Sequence, residues 1–225
     1  MLVVIAAAHD EEAAAAVAAW GDGRAVLLQP RDLSQPGWSL VPGKAGGSFV
    51  AAGQTIAVEA ISGVLTRRLA VYPQELDHVT PEDRIYVAAE MTALLTWWLG
   101  TLAAPVLNRP GGGALCGPGF RTEQWLALAA ALGMAVVPIA RAVPGPLPPA
   151  APPAAEVVVV AGTVVGMVSS ALAKRACQLA RAAGAALLWA GFDDPGRRGR
   201  LVTAHAMPRL APPLIEALAR YAGHS

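Results

Sequence analysis

The chain has 225 residues, 55% hydrophobic and 15% charged, with a formal net charge of +1. That length allows one large domain or two small ones with a sizeable core, and the near-neutral balance gives no electrostatic footprint for nucleic acid. No uncharged apolar run reaches the roughly 18 residues of a membrane span, because glycine and proline interrupt the nearest one, 92–107. Residues 1–8 are too short and lack the basic start of a secretory signal, so they read as a strand. Cys116 and Cys177 have no metal-type spacing and fit a reducing, cytoplasmic setting. Only Lys44 and Lys174 are lysines, a scarcity that bears on nucleotide chemistry, where phosphates often need a placed lysine.

In chain order, the continuous apolar run 2–7 predicts a buried parallel strand. His9-Asp10-Glu11-Glu12 then opens an alanine-rich helix to about Trp20. A strand at 25–28 follows, then a glycine-rich turn at 43–47 and a hairpin of 48–51 with 55–58 around Gly53. The run 61–65 is another strand and ends at Thr66-Arg67-Arg68. Residues 84–110 organise the rest. Ala88, Met91, Leu94, Leu95, Trp98 and Leu102 recur at spacings of three and four and form one apolar stripe. Thr80-Pro81-Glu82-Asp83 supplies a helix start, Gly100 a turn, 104–107 a short strand and Asn108-Arg109-Pro110 a stop. A helix from Thr122 ends before Gly133, and 135–139 reads as a strand.

The proline-rich stretch 144–153 excludes regular structure and reads as a linker. Beyond it, 156–161 and 163–168 form a hairpin, 170–183 a helix and 186–189 a strand. A turn over 193–199 leads to a strand at 200–204, and Pro212-Pro213 opens a final helix to about Tyr221. The fold class expected is α/β: an open, mostly parallel sheet over 1–140, a linker over 141–155 and a small α+β unit over 156–225.

Several residues carry candidate chemistry. Arg67-Arg68 and Arg109 end strands, where open α/β sheets collect ligands, and arginine suits carboxylate or phosphate. The bland alternative is solvated charge. Glu90, beside the apolar stripe, is a candidate partner for these arginines or a plain surface acid. Gly111-Gly112-Gly113 and Gly117-Pro118-Gly119 frame Cys116 without any phosphate-loop spacing, so a plain connection is the favoured reading. Cys116 has no acid or histidine beside it in sequence to form a thiolate. Asp193-Asp194-Pro195-Gly196 reads as turn chemistry, with magnesium binding as the alternative. His205 is a candidate base or ligand, or a structural histidine.

Two segments resemble the ATP-grasp superfamily, in particular the ribosomal-protein S6 modification and microviridin-type peptide-maturing branch. The first runs through Ile61-Ser62-Gly63-Val64-Leu65-Thr66-Arg67-Arg68, Glu90, Asn108-Arg109-Pro110 and Gly133-Met134-Ala135-Val136-Val137-Pro138. The second comprises Gly162-Thr163-Val164-Val165-Gly166, Gly191-Phe192-Asp193 and Met207-Pro208-Arg209-Leu210. The resemblance implies a pre-ATP-grasp domain followed by the C-terminal end of an ATP-grasp domain. It also implies a Glu-x-Asn metal pair, but Thr203 and His205 stand at those positions and only Asp193 is kept. The family's central lid, with its phosphate lysines and adenine hinge, would fall where the proline-rich segment lies.

The implied function is a non-catalytic accessory or binding protein that recognises a peptide, a small acid or a partner enzyme. Arg67, Arg68, Glu90, Asn108 and Arg109 would form the ligand surface, and no cofactor is expected. The competing reading is a minimal ATP- and magnesium-dependent carboxylate–amine ligase, completed by another chain or by a homodimer, with Asp193 as metal ligand and His205 as base. A third reading makes Cys116 the nucleophile of a hydrolase- or transferase-type site. Exposed tryptophans would favour a protein contact.

Overall fold

A computed structural model describes residues 1–21, 23–42, 46–139 and 152–223. The proline-rich stretch therefore falls almost wholly outside the described residues, as do Gly43 and Lys44 of the expected glycine-rich turn.

Leu2, Val3, Val4 and Ile5 are all buried and form β1 (Leu2–Ile5). The chain then crosses through α1 (Glu11–Trp20) to β2 (Ala25–Leu28). Asp10 caps α1, accepting a hydrogen bond from the Ala13 amide at 2.9 Å. Next come β3 (Ser39–Leu40), β4 (Gly47–Ala51) and β5 (Gln54–Ala57), a separate antiparallel sheet in that order. The β4–β5 hairpin turns at Ala52 and Gly53, both with positive φ (49° and 71°), the pairing a type I′ turn requires. β6 (Gly63–Thr66), α2 (Arg84–Thr101) and β7 (Val106–Leu107) complete a four-stranded parallel sheet ordered β2-β1-β6-β7. The expected parallel strand–helix alternation is thus present.

The stripe on α2 buries Ala88, Met91, Leu95 and Trp98, with Leu102 just beyond the helix. Trp98 packs on Phe49 and on Trp38, with ring centroids 5.5 Å apart in both pairs. These rings join the parallel sheet, the small antiparallel sheet and α2 into one core. Two boundaries differ from expectation. Thr80 to Asp83 form a turn ahead of the helix, where the Thr80 hydroxyl donates to the Asp83 carboxylate. Gly100 lies inside the helix rather than ending it.

α3 (Thr122–Ala131) begins a second set of elements: β8 (Ala155–Val160), β9 (Thr163–Val165), α4 (Ser170–Ala182), β10 (Leu187–Phe192) and β11 (Leu201–His205). Their antiparallel sheet is ordered β11-β10-β8-β9, with α3 and α4 packed against it. The expected strand at 135–139 is only a single parallel bridge, Val136 to Leu201. Pro138 has no N–H with which to extend it. α5 (Pro212–Tyr221) ends the chain, and the Trp20 indole N–H donates to the Ile215 carbonyl.

By packing, the chain divides into two units. One holds residues 1–118 and 209–225, the other 119–208. The last helix thus belongs with the parallel sheet, and α3 with the antiparallel one.

The aromatic core predicts a sharp contrast between two substitutions. Phe49→Ala should cost about 3–5 kcal/mol in urea unfolding. Tyr86→Ala, at a side chain 68% exposed on α2, should change stability by less than about 0.5 kcal/mol.

Candidate functional site

The strand-end arginines are engaged by the protein itself. Because β1 and β6 run parallel with Ile5 opposite Thr66, the chain after both strands emerges at one edge. There the Arg67 Nε donates to Asp10 at 2.8 Å, and its Nη2 reaches Glu12 at 3.2 Å. Glu12 also accepts from Arg209 and from the Leu210 amide, each at 3.1 Å, which ties those two residues to α1. Burial raises the Asp10 pKa, but the Arg67 hydrogen bond and the Ala13 amide outweigh it and hold the carboxyl below its ordinary range. The Leu210 amide, ahead of Arg209, likewise holds Glu12 low.

Arg68 is 5% exposed. It donates to the Ala6 and Ala70 carbonyls and pairs with Glu75. Arg109 closes the end of α2, donating to the carbonyls of Leu99 (2.8 Å), Gly100 (3.2 Å) and Leu102 (2.9 Å), acceptors that a helix C-terminus leaves unpaired. Asn108 is buried and donates to the Cys116 carbonyl at 3.1 Å. Gly117 makes this contact sterically feasible, since a Cβ there would lie 2.4 Å from that of Asn108. Glu90 is exposed on α2. Of the five residues expected to form a ligand surface, four therefore have structural partners and one faces solvent.

Cys116 is buried, and that burial pushes its thiol up to about 11. At neutral pH it is a thiol and a poor nucleophile. The glycine-rich segment around it packs down, with the Leu115 amide donating to the Leu69 carbonyl at 2.8 Å.

In the antiparallel unit, Asp193 follows β10. Its carboxylate accepts from the Arg200 amide at 2.7 Å and from the Arg200 Nε at 2.6 Å, and these bonds hold its pKa low. Asp194 accepts from the Gly196 amide at 2.6 Å, so both acids close the turn. His205 lies opposite Trp189 on β10. Four residues of strand separate that position from Asp193, roughly 13 Å, too far for one metal ion to bridge the two.

The His205 imidazole stacks on the Trp189 indole with centroids 4.5 Å apart at 16°, and the indole N–H donates to Glu156 at 3.1 Å. Thr203 pairs with the Thr122 hydroxyl at 3.3 Å. Magnesium needs several oxygen ligands arranged around one point, and these side chains do not fit it. Among the described residues, no three His, Cys, Asp or Glu side chains cluster as a metal set.

The sequence reading missed Trp189. Its indole lies over Gly191, where a Cβ would come within 2.8 Å of the ring. The available signal was an aromatic two residues before a glycine on a strand, where both face the same side. None of the six tryptophans is exposed; Trp38, Trp97 and Trp189 are half-buried. No described helix is long and apolar enough to cross a membrane.

No protein-family model matches the sequence, and no curated protein matches it either. Solved structures do: the chain has the fold of the ATP-grasp peptide ligases. The macrocyclase MdnC of Microcystis aeruginosa MRC, bound with precursor peptide MdnA, superposes with a TM-score of 0.68 at 12% identity, over 100% of this chain and 99% of that one. The ATP-grasp ligase PsnB, complexed with a minimal precursor, Mg and ADP, gives 0.66 at 14% identity over 99% and 98%. Macrocyclase MdnB, from the same Microcystis, gives 0.61 at 16% identity over 96% and 94%. The likeness is one of fold.

Two outcomes follow from this geometry. Asp10→Ala removes a helix cap and the main partner of Arg67, and should lower stability by about 2–4 kcal/mol in urea unfolding. The indole over one face of His205 shields it from water and lowers its pKa from 6.5, while the Glu156 charge and a backbone hydrogen bond at Met207 that favours the protonated ring pull the other way. A histidine depressed in the fold contributes stability above its unfolded pKa and loses it as pH falls through that value. Between about pH 7 and pH 5.5, wild type should therefore lose slightly more thermal stability than His205→Gln.

Proposed function

We propose that this chain is a non-catalytic, ATP-grasp-like accessory protein that recognises a peptide. The observation that carries this reading is the sheet face of β10 and β11. Where the family resemblance places a metal-binding glutamate and asparagine, Thr203 is paired with Thr122 and His205 is stacked on Trp189. The remaining acid, Asp193, is occupied by Arg200. Phosphoryl transfer depends on metal and cationic groups that position and neutralise phosphate oxygens. In this reading the parallel-sheet unit corresponds to the pre-ATP-grasp domain, the antiparallel unit is what remains of the catalytic domain, and the segment 141–155 stands where the central lid would be.

The peptide is favoured over a small acid because the strand-end guanidiniums are already paired by Asp10, Glu12 and Glu75. MdnC and PsnB are themselves complexed with precursor peptides, which supports the same ligand class here. The competing reading, a minimal ATP- and magnesium-dependent ligase completed by a second chain, makes the opposite prediction about nucleotide.

A ligand that binds only the folded state must raise its stability by mass action. Thermal unfolding with about 5 mM ATP and excess magnesium should shift the midpoint by less than about 1 °C. A shift of several degrees that disappears in Asp193→Ala would overturn the non-catalytic reading and make the chain a nucleotide enzyme.

A further inference from the structure

Two hollows adjoin one another along α2, with Trp97 lining both. One is a cavity of about 690 Å³ whose lining includes Leu40, Val58, Ile61, Trp98 and Leu102. The other is an open trough of about 640 Å³ lined by Val71, Pro73, Ile85, Ala89 and Ala93 among others. Together they follow the helix from Ile85 to Leu102, roughly 25 Å at 1.5 Å per residue, which is the span of about eight residues of extended peptide.

Two observations point to an occupant. The first is the lack of polar cover: over its 18 residues α2 carries only Arg84 and Glu90 as charged side chains, and Ile85 and Tyr86 are left 74% and 68% exposed. The second is charge. Among the described residues Glu59 is the one ionisable side chain lining either hollow, and no lysine or arginine lines them.

We infer that this face of α2 binds an extended peptide in which a large apolar side chain fills the cavity and a neighbouring lysine or arginine pairs with Glu59. The inference rests on the peptide-recognition reading and gives it a place and a charge preference. Apolar contact supplies the binding, and the single carboxylate selects against acidic sequences.

The test uses the full chain and two blocked octapeptides, identical except that one carries Phe-Lys and the other Phe-Glu at the centre. Binding is followed by tryptophan fluorescence and calorimetry, with gel filtration run alongside. Wild type should bind the lysine peptide about three- to fivefold more tightly than the glutamate one, the scale of one partly exposed ion pair. Glu59→Lys should reverse that order. Ala103→Trp, at an exposed position on the cavity rim, should abolish binding of both while leaving the melting temperature within about 2 °C.

Equal affinity for the two peptides, or an order unchanged by Glu59→Lys, overturns the charge assignment. Binding that survives Ala103→Trp overturns the location but leaves peptide recognition standing. No binding by either peptide overturns the peptide occupant, and elution as a dimer that Ala103→Trp disrupts would assign the face to a second copy of the chain.

Discussion

The fold depends first on keeping guanidinium groups paired where strands and helices end. Arg67 holds the helix cap Asp10 and the acid Glu12 against the edge of the parallel sheet. Arg68, buried beside it, satisfies two carbonyls and pairs with Glu75. Arg109 covers the open carbonyls of α2. Removing a charge from water is costly unless geometry and hydrogen bonding repay it, so each of these groups constrains the segments around it. Glu12 extends the same constraint to the C-terminal segment through Arg209 and Leu210, which brings α5 back to the first unit.

The antiparallel unit carries an aromatic stack on one face of its sheet. An aromatic stack needs a flat space and tolerates a neutral imidazole, whereas a magnesium site needs converging oxygens. Gly191 provides the flat space, because any larger residue would collide with the Trp189 ring and with Pro153. The glycine of the Gly-x-Asp motif thus has a steric role here, and the aspartate closes a turn with Arg200. Folds persist through such exchanges because backbone pairing and core packing hardly depend on which polar group occupies an outward position. Val157, Val159, Leu188 and Ala190 keep the other face of the sheet packed.

α2 connects the core to the surface the protein leaves available. Its inner stripe packs on Phe49 and the parallel sheet, and its outer side is also apolar. A helix apolar on all sides is ordinarily enclosed. Here one side remains open, so the helix both braces the domain and presents an uncharged surface on the first unit. The strand-end arginines are paired within the fold, and the alanines, Thr96 and Trp97 line the outer side of α2.

The sequence alone determined the elements whose signal is local. A continuous apolar run marked β1, spacings of three and four marked the buried side of α2, and Gly53 and Gly162 marked the turns of both hairpins. Tertiary structure decided the fate of every charged candidate. A guanidinium finds its partners through space: Arg67 meets Asp10 across 57 residues and Glu12 across 55, and no spacing rule encodes those distances. The turn at Asp193 was within reach because its partner Arg200 lies seven residues away, whereas the stack of Trp189 on His205 required the register of two strands. Local periodicity follows from backbone geometry and can be read from the chain, but polar pairing follows from which segments the core brings together.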